Sequence, residues 1–333
     1  MESPIKEREE LDGNIKQMIS TGSTLLDLAI SGTRVTGGGI PGGILVEIFG
    51  PSGTGKTVLL CEIAGDIQRK RGKVMFYDPE ARLNQQFAQL FDLELKEEEY
   101  HRPNTVTQLF QSLSEWDPES NKRINGIITD SLAALSTDME MENKEGDKMG
   151  MRRAKEFSEG LRKTCRILQE KNFLMVCSNQ VRINVDAGPY GQKYVSPGGE
   201  ALRFYSSLRL RMVGTKKIHE TIKVKGKEVK QVVGITTTVE VDKSSVDVPL
   251  RTAPLTILFD YGIDDIRENL IFVKKYTGST VYTVNDRKLS NALDSAIEMI
   301  EEEDLTNELK QQVIELWEEI QEKFKSNRKK KQR

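Results

Sequence analysis

Residues 50–57 read Gly50-Pro51-Ser52-Gly53-Thr54-Gly55-Lys56-Thr57, and no other run constrains the fold of this chain so tightly. It satisfies GxxxxGK[ST] at every fixed position. The apolar, β-rich segment GILVEIF (43–49) precedes it, and a helical pattern over 57–70 follows. The glycines permit positive φ values and a close backbone approach, so that N–H groups can surround a phosphate. In that arrangement the Lys56 ammonium lies on the β and γ oxygens and the Thr57 hydroxyl ligates Mg²⁺. A glycine-rich turn without nucleotide is the competing reading, and the strand–turn–helix context weighs against it.

The rest of the chain continues the same pattern. Strands are expected at KVMFYD (73–78), INGIITD (124–130) and NFLMVCSNQ (172–180). Helices are expected around 84–91, over 105–116 and over 149–170. Near-continuous apolar strands alternating with helices indicate an α/β fold with a mostly parallel central sheet covered on both faces. Beyond Leu208, LRLRMV, a VKGKEVKQVV hairpin signal, ITTTVEV and LTILFD read as further strands extending the sheet. From Ile263 the pattern is mostly helical, interrupted by STVYTVNDRK, which suggests a small C-terminal α+β domain. The expected division is a short N-terminal segment (1–33), a core (34–265), the small domain (266–322) and a basic tail (323–333).

With 333 residues, 37% hydrophobic and 30% charged, the chain is neither disordered nor fibrous and holds one large or two modest domains. No uncharged apolar run approaches the ~18 residues needed to span a bilayer. The N-terminus, MESPIKEREELDG, lacks the apolar stretch of a signal peptide. Three cysteines without a CxxC pair and two histidines make a disulfide framework, a thiolate zinc site or histidine chemistry improbable. A cytoplasmic protein without a membrane partner is expected.

Net charge is −2, which at first argues against a polyanionic partner. The charge is unevenly distributed, however. Residues 148–211 hold thirteen basic and five acidic side chains, and the last eleven residues hold seven basic and no acidic ones. Residues 291–322 hold eleven acids and Lys310 alone against them. Fields act locally over about 10 Å in salt, so a basic middle and a basic tail can serve nucleic acid despite the neutral sum. A solvated, disordered end remains the bland reading of the tail.

Two acids suit a phosphate site. Asp130 ends INGIITD, where a carboxylate can hold a magnesium water; a helix N-cap is the ordinary alternative. Glu80, in the Asp78-Pro79-Glu80 turn at the carboxyl edge of the sheet, can act as general base on an attacking water or stand as a solvated loop acid.

Taken together, ISTGSTLLDLAISG, GGIPGGILVEIFGPSGTGKT, VMFYDPEARL, IITDSLAAL, EGDKMGMRR, MVCSNQVRINV and SPGGEALRFYSSLRLRM resemble the RecA family of DNA strand-exchange ATPases. The resemblance runs from about Ile19 to the C-terminal helices. It implies a RecA-like P-loop ATPase core, ATP and Mg²⁺ as cofactors, and Glu80 as the catalytic glutamate. Gln180 matches the residue that couples the γ-phosphate to a DNA-binding loop. Phe87 falls where an aromatic lies against adenine, with plain core as its alternative. Two DNA-binding loops are implied, at about 142–153 and 181–199. Arg152, Arg153, Arg162, Lys163 and Arg182 then serve as phosphate contacts, Ile183 and Val185 as wedges between bases, and Gly198 and Gly199 as backbone donors. Tyr190 and Tyr194 are stacking candidates or ordinary tyrosines.

The implied activity is a DNA-dependent ATPase that forms helical filaments on single-stranded DNA and exchanges strands with homologous duplex. Single-strand-binding and loader proteins are implied as accessory partners. Three departures are visible. Fewer than twenty residues precede Met18, where the family has a docking helix. In VEVDKSSVDVPL, Lys243 matches the first of two lysines that reach a neighbour's ATP, and Ser245 stands at the second. The chain ends in basic KSNRKKKQR rather than an acidic tail. These features fit a divergent member of phage or mobile-element type. A recombination mediator that binds ATP structurally, or a ring-forming motor of the same fold, is the alternative.

Overall fold

The computed structural model describes residues 17–32, 35, 37–118, 120, 122–141, 149–183, 194–195, 199–325 and 328; within these, the side chains of residues 139–140, 149–153, 182–183, 194–195 and 199–200 are outside the description. A nine-stranded sheet organises these residues. Its strands are, in chain order, β1 (Leu45–Gly50), β2 (Val74–Tyr77), β3 (Tyr100–His101), β4 (Asn125–Thr129), β5 (Phe173–Gln180), β6 (Leu208–Val224), β7 (Lys227–Ser244), β8 (Thr252–Leu258) and β9 (Gly262–Ile263). Their spatial order is β9-β8-β7-β6-β1-β5-β4-β2-β3. From β6 to β3 every pairing is parallel, and from β6 outward through β7, β8 and β9 every pairing is antiparallel.

The parallel strands are buried on both faces, which explains their continuous apolar sequences. Alternate residues supply two cores: Val46, Ile48, Val74, Phe76, Leu174 and Val176 lie on one face, and Leu45, Met75, Tyr77, Phe173, Met175 and Cys177 on the other. The helix Lys56–Arg69 covers the first face through Leu59, Leu60, Ile63 and Ile67. Helices Val106–Glu115 and Met149–Lys171 cover the second, through residues such as Leu109, Leu113, Phe157 and Leu161. The C-terminal helices Leu293–Glu302 and Thr306–Lys323 add Ala296, Ile300, Leu309, Val313 and Ile314 to the first cluster. No helix among the described residues is long and apolar enough to cross a membrane.

The expected strands and helices of the parallel half are present. In the antiparallel half, LRLRMV and the first arm of the hairpin form one strand of 17 residues. The second arm and ITTTVEV form one of 18. Irregularities in register between Val213 and Lys216 and between Ile218 and His219 carry the pairing past Gly214 and Gly234, so these glycines do not divide the strands.

A guanidinium lies inside this sheet. Arg209 of β6 donates to Glu47 of β1 (2.6 Å) and to Asp242 of β7 (2.5 Å), and its plane lies 4.2 Å from the centre of the Phe49 ring. Asn179 of β5 donates to the other Glu47 oxygen at 3.0 Å. Glu47 is fully buried, so it depends on these partners. Replacing Arg209 by Met should cost about 3–5 kcal/mol, because a carboxylate is left buried and unpaired. Urea unfolding of Arg209→Met and of the double variant Glu47→Gln/Arg209→Met checks this; the double variant should lose less.

A second, partly buried acid gives the stability a pH dependence. Burial raises the Glu62 carboxyl from 4.5 to about 7, against weaker lowering effects of the Ile263 N–H and Arg69. The folded form therefore holds a proton that the unfolded chain releases, and this contribution to stability is lost as pH rises from about 4.5 through 7. Urea midpoints at pH 5 and 7.5 should show Glu62→Gln gaining on the wild type at the higher pH.

Candidate nucleotide and DNA site

β1 ends at Gly50 and the helix Lys56–Arg69 begins six residues later, so the loop between them caps the carboxyl edge of the sheet. Gly55 is the residue before the helix, with φ of 94°. A Cβ there would run into the Ile257 side chain, and one at Gly50 would meet the Met212 carbonyl. These two positions admit glycine because of backbone sign and close approach. Gly53, with φ of 75°, faces open space. Ser52 is exposed, and Thr54 Oγ1 donates to the Pro51 carbonyl at 3.0 Å, closing the loop on itself.

Lys56 Nζ donates to the carbonyls of Gly50 (3.1 Å) and Pro51 (2.7 Å) and so lies across the loop. Burial pulls its pKa below the ordinary lysine value, while Asp130 and Glu80 act in the opposite direction. Thr57 Oγ1 donates to Asp130 Oδ2 at 2.5 Å, and Ser178 Oγ donates to Asp130 Oδ1. One carboxylate thus ties β4, the loop helix and β5 together just past the end of β4, where the Asp130–Ser131 peptide is cis.

Glu80 lies on the same edge. Ser131 Oγ donates to its Oε1 at 3.2 Å, and Arg82 pairs with its Oε2 at 2.6 Å. The turn carrying Glu80 is held by Asp78, which accepts from Leu83 N (2.8 Å) and the Tyr100 hydroxyl (2.7 Å). Ala81 takes a φ of 53°, which returns the chain toward Asp78. Gln180 ends β5 directly beside Gly50 in the parallel register. Phe87 sits on the short helix Gln85–Gln89, partly buried, with its ring edge-on to Phe91 at 5.2 Å.

The remaining candidates are more dispersed. Lys243 Nζ donates to the carbonyls of Arg203 (2.9 Å) and Phe204 (3.0 Å), at the end of the helix Gly199–Tyr205. Burial, then Arg209 and Arg203, lower its pKa. Ser245 Oγ donates to the Ser207 carbonyl at 3.2 Å. Arg162 and Lys163 are exposed on the helix Met149–Lys171. At about 1.5 Å per residue they lie ~14 Å along it from position 153. The side chains of Arg152, Arg153, Arg182 and Ile183 lie outside the described residues, as do Val185 and Gly198; Gly199 opens the short helix.

Ser131, Ser178, Asp78, Tyr100 and Arg82 were not expected from sequence. Ser178 had one available signal: it is two residues before Gln180 on a strand, which puts both on one face.

The oxygen set at Thr57, Asp130 and Ser178 suits a hard cation that keeps phosphate and water ligands. No group of three His, Cys, Asp or Glu side chains among the described residues is arranged to hold a metal ion. The loop geometry and this donor set fit a nucleotide with Mg²⁺.

The family model described as RecA N-terminal domain matches residues 5–264. Protein RecA of Borrelia turicatae (strain 91E135) is 34% identical over 313 residues, covering 92% of this chain and 82% of that protein. Protein RecA of Thermus thermophilus is 33% identical over 304 residues, covering 90% and 85%. Protein RecA of Delftia acidovorans (strain DSM 14801 / SPH-1) is 32% identical over 294 residues, covering 86% and 75%.

The chain belongs to the RecA family. It is a recombinase of that family, whose members are DNA-dependent ATPases using ATP and Mg²⁺. Within this RecA-family site Arg82 pairs with Glu80, and among the described residues no hydrogen bond or ion pair joins it to the phosphate loop. Arg82→Ala should therefore change kcat for ATP while leaving KM within about twofold, measured by steady-state hydrolysis.

Proposed function

We propose that the protein polymerises on single-stranded DNA with ATP and Mg²⁺ and exchanges strands with homologous duplex. The observation that carries this reading is the pairing of Gly50 with Gln180. It puts the start of the phosphate loop beside the start of the segment at 181–199, so an amide that senses a γ-phosphate can draw on the chain that follows it.

The roles follow from position. Backbone amides of residues 50–57 and the Lys56 ammonium take the phosphates, once Nζ leaves the Gly50 and Pro51 carbonyls. Thr57 would hold Mg²⁺ directly and Asp130 through water, with Ser178 fixing the carboxylate. Bound Mg²⁺ supplies charge neutralisation at the β and γ oxygens. Glu80, steadied by Ser131 and Arg82, orients and deprotonates the attacking water. Phe87 offers an aromatic edge to the base. Lys243 reaches a neighbour's nucleotide after releasing the carbonyls of 203 and 204, and Ser245 adds no second charge there.

Arg152, Arg153, Arg162, Lys163 and Arg182 serve as phosphate contacts, Ile183 and Val185 as wedges, and Gly198 and Gly199 as backbone donors. We place the protein in the cytoplasm at DNA, with single-strand-binding and loader proteins as accessory partners. Residues 34–265 form the ATPase unit, with 1–33, 266–322 and 323–333 as the flanking segments.

ATP turnover with and without single-stranded DNA tests the reading. Strong stimulation is expected, and its absence would overturn it. Lys56→Ala should abolish nucleotide-dependent assembly on DNA, whereas Glu80→Gln should retain assembly and lose hydrolysis by about 10²-fold or more; electron microscopy and a phosphate-release assay read the two.

A further inference from the structure

β6 and β7 run far beyond the sheet that contains them. β6 pairs with β1 only over residues 208–211, and β7 pairs with β8 only over 234–240. Beyond these limits, residues 219–232 pair with nothing but each other. They form a two-stranded ribbon closed by Lys225 and Gly226, both with positive φ (50° and 79°), the two-residue turn that suits the twist of paired strands. Because β6 is parallel to β1, the ribbon leaves the sheet at the carboxyl edge, the edge that also bears the phosphate loop and Gln180.

This ribbon does nothing for the core. Every residue from His219 to Gln231 is exposed, including Ile222, Val224 and Val229 at 51, 47 and 44%. A free two-stranded hairpin is marginal in water, and ordering it costs roughly 1–2 kcal/mol per residue in backbone entropy. Its composition is one-sided: Lys223, Lys225, Lys227 and Lys230 stand against only Glu220 and Glu228. Among the described residues, no ion pair engages any of these four lysines.

Length and width narrow the partner. At about 3.3 Å per residue, the six steps from His219 to Lys225 reach ~20 Å, enough to pass right across the ~12 Å major groove of duplex DNA. A two-stranded ribbon fits the ~12 Å major groove. Four lysines, at 223, 225, 227 and 230, crowd the tip, where they can meet phosphates on either wall of such a groove.

We propose that this ribbon is a duplex-DNA arm, a contact surface additional to the segments at 142–153 and 181–199, which takes double-stranded DNA by its phosphates. This rests on the DNA-recombinase reading above.

The test uses the full chain with Lys223, Lys225, Lys227 and Lys230 all changed to Ala, and a partner variant with the same four changed to Arg. Binding of a labelled 30-base-pair duplex is measured between 50 and 200 mM KCl, with single-strand-stimulated ATP turnover as the independent readout. The Ala variant should bind duplex at least tenfold more weakly at 50 mM. Its log–log salt slope should be shallower by about 0.9 per lost phosphate contact. The Arg variant should restore both, and single-strand-stimulated turnover should stay at the wild-type level in each. Unchanged duplex affinity and slope in the Ala variant, with turnover intact, overturns the proposal. So does a loss of assembly with unchanged duplex binding, which assigns the ribbon to contacts between copies of the chain. Absence of single-strand stimulation in the wild type defeats the recombinase reading instead.

Discussion

Glu47, buried without exposure in the strand that launches the phosphate loop, is a charge that the fold has to satisfy before anything else at that edge can be placed. Arg209 and Asn179 do so from the two neighbouring strands, and Asp242 shares the guanidinium from the next. Four adjacent strands are thereby pinned in register by polar contacts within an otherwise apolar layer. Replacing such a network by apolar groups often costs little, but removing one member costs much. Its worth is therefore geometric. It fixes where Gly50 and Gln180 end relative to one another, and where β6 and β7 depart from the sheet.

Asp130 repeats the principle on the opposite face of the sheet. Its two oxygens accept from Thr57 and Ser178, so a carboxylate offered to a cation is already oriented by hydroxyls from two other elements. A chain of such contacts, from Ser178 through Asp130 to Thr57 and from Ser131 to Glu80 to Arg82, runs along the sheet edge. Both sets of contacts end at the sheet edge that also carries Gln180 at the end of β5.

Much of this was legible in the sequence because burial on both faces leaves a plain signature: four-to-eight-residue apolar runs separated by helical stretches. The phosphate loop was readable from its spacing; position at strand ends brought Asp130 and Glu80 forward as candidates, and for Glu80 spacing left a solvated loop acid equally open until the family resemblance was added. Ser178 was not, because a hydroxyl inside an apolar strand changes no periodicity. Arg82 was not, because its contact depends on the left-handed turn at Ala81. The length of β6 and β7 was hidden by Gly214 and Gly234, which read as breaks in a strand but here sit at irregularities that let pairing continue. Lys243 falls two residues past the expected strand ITTTVEV but inside β7, and its bonds to the carbonyls of residues 203 and 204 depend on a helix end forty residues earlier in the chain.

The two ends of the sheet carry a different lesson. β3 at one edge and β9 at the other are only two residues long, too short to offer a rail of unpaired amides to another chain. A second molecule arriving at either end of this sheet therefore finds side chains rather than backbone to hold; the long free backbone edges among the described residues belong to the ribbon at 219–232.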